Sequence, residues 1–116
     1  MVVLLANLNR ISFFKDLLKK SDLSAQSIHN IQNDGPDWDE DMVKFVVTKQ
    51  PKLILFDNDF SPKDFDRLWL DVAKTIKKED LKNTKMGIFK SDYCRHNLPD
   101  EEYVYIEKIE GIRKFT

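Results

Sequence analysis

The stretch "PKLILFDNDFSPKDF" runs from Pro51 to Phe65, and its reading decides the fold. Leu53-Ile54-Leu55-Phe56 is an apolar run without alternation, as a strand buried on both faces requires. The run stops at a carboxylate, Asp57, and Asp59 follows two residues later. Ser61 then reads as a helix N-cap, Pro62 as the first helical residue and Asp64 as an acid in the first turn. The stretch is thus strand, polar loop and helix. In sheets of parallel strands, sites form beyond the carboxyl ends of the strands, so Asp57 stands where a site is expected.

The same alternation extends in both directions. Val2–Ala6 is a second short, nearly all-apolar run. From Arg10 to Lys20 the period becomes helical, with Ile11, Phe14, Leu17 and Leu18 on one face. A weaker strand is expected over Ser27–Gln32, ended by the turn signal Asn33-Asp34-Gly35-Pro36. Asp37 and Glu40 have capping-box spacing for a helix whose apolar positions are Trp38, Met42, Phe45 and Val46. After Ser61 the buried stripe is Phe65, Leu68, Val72 and Ile76, and Lys77-Lys78-Glu79-Asp80 marks the exit. Met86–Phe89, weakened by Gly87, and Tyr103–Ile106 are further strands. The tail Ile109–Thr116 fits either a short strand or the stub of a helix.

Strands alternating with helices predict an α/β fold. The expected architecture is a three-layer sandwich, a five-stranded, mostly parallel sheet with helices on both faces. Only about a dozen residues, Ser91–Glu102, separate the last two strands, and the chain ends soon after Lys108. The fourth and fifth helices are therefore expected to be shortened. The abrupt end is also consistent with a domain cut from a longer chain.

A length of 116 residues suits one domain, 1–116. Hydrophobic residues at 41%, with eight Phe, supply enough apolar material for a packed core and argue against disorder. A formal net charge of −1 provides no positive field for nucleic acid or an anionic membrane. The single cysteine, Cys94, excludes an internal disulfide and a cysteine-based zinc site, and it fits a reducing, cytoplasmic setting. No apolar stretch approaches a membrane span, and Met1–Leu5 is too short for a signal-peptide core.

No GxGxxG, P-loop, HExxH or CxxC motif occurs. His29 and His96 lie far apart without partners at ligand spacing and read as ordinary polar residues. Asp57, with Asp59, could ligate Mg²⁺ through oxygen, or Asp57 could attack a phosphoryl donor. Against this, Asp is common in any strand-to-helix loop. Ser61 and Asp64 have the spacing of a redox CxxC without the sulfurs, and helix capping accounts for both. Lys108 ends the last strand on the same sheet edge as Asp57, where an ammonium could pair with an acyl phosphate. Lys90 and Ser91 follow the fourth strand in the same way. For all three the bland alternative is a solvated side chain. Trp69 reads as packing, and Lys19-Lys20 and Lys77-Lys78 as solvated helix ends.

Over nearly its whole length the chain resembles the receiver domains of two-component response regulators. Val2–Leu5 is similar to the first strand, and "NDG" at Asn33–Gly35 to the exit from the second. "VTKQPKLILFDNDFSPKDF" is similar to the segment that carries the phospho-accepting aspartate, which falls on Asp57. "KKEDLKNTKMGIFKS" resembles the approach to the switch hydroxyl, with Lys90 or Ser91 near it. "YIEKI" sets Lys108 where the family has its lysine. The family places an acidic pair after the first strand to hold Mg²⁺, and the corresponding residues here are Asn7 and Leu8. Phe65 replaces a glycine.

The resemblance implies an atypical or pseudo-receiver, with Asp57 as a vestigial or weak phospho-acceptor. Its role is then protein–protein interaction with a kinase or downstream signalling protein, not an enzyme and not a binder of nucleic acid or membrane. No cofactor is implied with certainty; weak Mg²⁺ binding through Asp57 and Asp59 is the candidate. Two alternatives stay open. One is a conventional phosphorylatable receiver. The other is a redox-inactive thioredoxin-like interaction module, with Ser61-Pro62-Lys63-Asp64 in place of CxxC and "YVYIEKIEGIRKFT" as a terminal hairpin.

Overall fold

The computed structural model describes residues 1–6, 8–23, 28–31, 38–57, 62–89 and 103–116. Of residues 8–9, 28–31, 38–41 and 62–68 only the backbone is described. In chain order the elements are β1 (Val2–Leu5), α1 (Leu8–Lys20), β2 (Ile28–Ile31), α2 (Trp38–Lys49), β3 (Leu53–Asp57), α3 (Pro62–Lys78), β4 (Lys85–Phe89), β5 (Val104–Ile106) and a 3-10 helix (Ile109–Phe115).

The apolar runs form one sheet in the order β2-β1-β3-β4-β5. All four ladders are parallel, with Leu5 opposite Phe56 and Asp57 opposite Phe89. This order is compatible with a flavodoxin-like, doubly wound fold, and its direction reverses between β1 and β3. Every residue of β1 and β3 is buried, as their uniform apolarity requires.

Alternation along the strands assigns the two faces. Val2, Leu4, Leu53 and Leu55 pack with Ile11, Phe14 and Leu18 of α1 and with Ile109 and Ile112 of the 3-10 helix. Val3, Leu5, Ile54 and Phe56 pack with Met42 and Val46 of α2 and with Trp69 and Val72 of α3. Trp69 is a core residue, its ring 5.1 Å from that of Phe56.

The helix ends explain several polar residues. Asp22 and Asp80 have φ of 55° and 53°. Around each, paired bonds close the preceding helix: Leu23 N–H to Leu18 O with Asp22 N–H to Lys19 O, and Leu81 N–H to Ile76 O with Asp80 N–H to Lys77 O. This is the Schellman arrangement, with Asp in the left-handed position and a leucine beyond it packed onto the core. Gly87 is needed by close approach, since a Cβ there would lie 3.0 Å from Leu53 Cδ1 and 3.2 Å from the Val104 carbonyl oxygen. The residue that weakens the strand signal thus permits the strand to sit between its neighbours.

The tail resolves as a helix, not a strand. Ile109 and Ile112, three apart, bury on one side of a three-residue turn. It is clasped to the end of α1: the Ser21 hydroxyl donates to Glu110 Oε1 at 3.0 Å, and the Arg113 guanidinium donates to the Ser21 carbonyl. A backbone hydrogen bond, the Ser21 bond and the positive charges of Lys108 and Arg113 hold the Glu110 carboxyl below its usual value. Its contribution to stability is therefore present above the ordinary carboxylate range and is lost as pH falls through the lowered value. Glu110→Gln is expected to lower stability slightly at neutral pH, with the difference from wild type shrinking as pH falls, so that the acid limb of the stability curve is flatter. Urea midpoints measured from pH 7 down to pH 3 check this, and a parallel shift at every pH would refute it.

The terminal hairpin required by the thioredoxin-like alternative is not formed. Val104–Ile106 pairs parallel to β4, and Ile109–Phe115 turns into a helix because its apolar residues are spaced for one buried face. The expected fifth helix is this short 3-10 helix; the expected fourth falls on residues outside those described.

Candidate functional site

The site begins with the parity of β3. Residues 53, 55 and 57 of a strand point to one face, and Leu53 and Leu55 face α1. Asp57, the last residue of β3 rather than the first of the loop, is therefore turned toward α1. Its neighbour across the ladder is Phe89, whose ring stacks edge-on against Phe14 at 5.1 Å. A carboxylate placed there is 1% exposed and needs a partner.

The partner is Arg10, from the first turn of α1. Its Nε donates to Asp57 Oδ2 at 2.9 Å and its terminal nitrogen donates to Oδ1 at 3.3 Å. This two-pronged geometry matches the planar fork of the guanidinium to both carboxylate oxygens. The guanidinium carbon also lies 4.3 Å from the ring centre of Phe13 and 5.4 Å from that of Phe14. Arg10 and Phe14 are one helical turn apart and share a face, so the ring that packs the core also supports the cation. The Arg10 side chain stays 27% exposed, so the pair is buried on the Asp57 side and open on the other.

Arg10 was absent from the residues that the sequence singles out. A signal exists in retrospect: α1 has no acid in its first turn and carries a cation there instead, against the helix dipole. Asp57 supplies the missing negative charge from across the strand end.

The remaining candidates divide as follows. Lys108 is exposed just before the 3-10 helix, and its charge acts on Glu110; among the described residues it makes no ion pair with Asp57. Leu8 opens α1, where a hydrocarbon side chain offers no oxygen to a metal. Asn7, Asp59, Ser61, Lys90, Ser91 and His96 lie outside the described residues; for Lys63, Asp64, Phe65 and His29 only the backbone is described. Pro62 does begin α3.

Among the described residues, two open cavities flank β5. One, of about 380 Å³, lies at the opposite end of the strands from Asp57, among Ile76, Thr84, Met86 and Tyr103. There the buried Thr84 hydroxyl has no hydrogen-bond partner among the described residues. The other, of about 530 Å³, runs along β5 past Lys108 and Gly111. Neither includes Asp57.

The receiver resemblance implies Mg²⁺, and the described residues do not fit it. Mg²⁺ demands near-octahedral oxygen donors and keeps several waters. Here both oxygens of the buried carboxylate already accept from a guanidinium. Among the described residues no three His, Cys, Asp or Glu side chains converge. Among them too, no helix is long and apolar enough to cross a membrane.

No family model, curated protein or solved structure matches the chain.

Proposed function

We propose that the chain is an atypical, receiver-like signalling domain that acts through protein–protein contacts, with Asp57 as a vestigial phospho-acceptor. The observation that carries this reading is the position and state of Asp57. It ends β3 beside the point where strand order reverses, yet its carboxylate is sheathed by Arg10. A phospho-acceptor needs an oxygen lone pair facing the incoming phosphorus and a cation free to neutralise the transferred group. Asp57 has the first requirement blocked and the second occupied from within. The sheet and its register support the receiver-like reading, whereas the parallel β4–β5 ladder speaks against the thioredoxin-like one. A cytoplasmic kinase or downstream signalling protein is the class of partner that such a domain would meet, and no reaction of its own is assigned to it.

The test is incubation of the chain with acetyl phosphate and Mg²⁺, followed by intact-mass measurement. The expected result is no phosphoryl adduct. A stable adduct that disappears in Asp57→Asn would replace this reading with that of a conventional phosphorylatable receiver.

A further inference from the structure

We infer that Arg10 is a built-in counter-cation that takes the place of a divalent metal at the strand ends, so that the charge balance of Asp57 is independent of metal ions. The choice of metal as competitor rests on the receiver-like reading; the pair itself does not.

Three features of the pair lead to this. The fork uses both oxygens, at 2.9 and 3.3 Å, so a metal at the usual Mg²⁺–oxygen distance of about 2 Å would have to enter where the guanidinium stands. The guanidinium stays charged throughout the physiological range, so it does not leave the site by losing its proton. Finally, it is tethered by its own helix and held against Phe13 and Phe14, which makes its encounter with Asp57 intramolecular, whereas a metal must arrive from solution. Two cations cannot share a carboxylate that is 1% exposed without repelling each other in a poorly solvated place. The domain therefore stays in one charge state with or without Mg²⁺.

Titration of the full chain with Mg²⁺ and Mn²⁺, followed by NMR, tests this without any phosphodonor. In the wild type, amide signals over 54–57 and 86–89 should show no saturable shift with Mg²⁺ and no selective broadening with Mn²⁺. The Arg10 Nε–H signal should be unmoved by either ion and strongly displaced in Asp57→Asn. In Arg10→Ala, a saturable site should appear, at least ~10-fold tighter than in the wild type, and vanish in Arg10→Ala/Asp57→Asn. Saturable, Asp57-dependent binding by the wild type overturns the inference, and so does a folded Arg10→Ala that gains no site. Should Arg10→Ala not fold, the Nε–H signal still decides: movement with Mg²⁺, or indifference to Asp57→Asn, refutes the counter-cation. Phosphoryl uptake is read in a separate assay, so the receiver-like reading and the counter-cation fail on different results.

Discussion

Phe14→Ala is expected to lower the unfolding free energy by about 3–5 kcal/mol, the range for truncating a fully buried aromatic residue. The ring has no exposure and lies edge-on to Phe89 at 5.1 Å and to Phe13 at 5.4 Å. It fills the space between α1 and the carboxyl ends of β3 and β4, where residues from distant parts of the chain leave no slack. Domains of this size are stable by about 5–15 kcal/mol in total, so one ring is a large share. Phe13→Ala is the matched control. That ring is 42% exposed and touches the same guanidinium, so its loss should cost only about 0.5–1 kcal/mol. Urea unfolding of both variants decides. Equal losses would mean that Phe14 does not carry the packing of α1.

Arg10→Ala should cost about 3 kcal/mol, at the lower end of the range for breaking a buried pair, because the arginine itself remains partly exposed. Most of that loss comes from the carboxylate left behind, not from the bonds removed. Asp57 has almost no access to water, so once unpaired it must hold its charge in a poorly solvated place or open the strand end to admit solvent. The sign of the double variant follows. Arg10→Ala/Asp57→Asn should be more stable than the sum of the single losses predicts, with a coupling of about 2 kcal/mol. Arg10→Lys should rescue only part, since an ammonium keeps the charge but loses the fork. Denaturant melts of the four-membered cycle measure the coupling, and additive single losses would mean that the pair has no energetic content.

The two predictions describe one structure from opposite sides. Phe14 is the floor under Arg10, and Arg10 is the lid over Asp57. Phe14→Ala should therefore also loosen the pair, which the Arg10 Nε–H signal would register as faster exchange with solvent.

How far the residues alone lead depends on how local the information is. The element order was readable because apolar runs, helical stripes and terminators such as Ser61-Pro62 act within a few residues. Pro62 begins α3, and Leu53–Phe56 lies within β3. The tail was not readable, since Ile109 and Ile112 fit a strand edge or a helix until Arg113 and Glu110 find the end of α1.

Asp57 shows the division most clearly. By itself the sequence set a carboxylate at the end of a buried strand in an α/β chain, because an apolar run interrupted by Asp can be read without any partner. It was silent on which face that carboxylate takes. Leu53 to Phe56 is apolar throughout, and a strand buried on both sides carries no alternation to mark one. Only the tertiary structure decided that β3 lies beside β1, that residue 57 turns toward α1, and that Arg10, 47 residues away in the chain, closes on it. The physical reason is that burial forces a charge to find its opposite wherever the sheet order brings one within reach, and no local pattern records that distance.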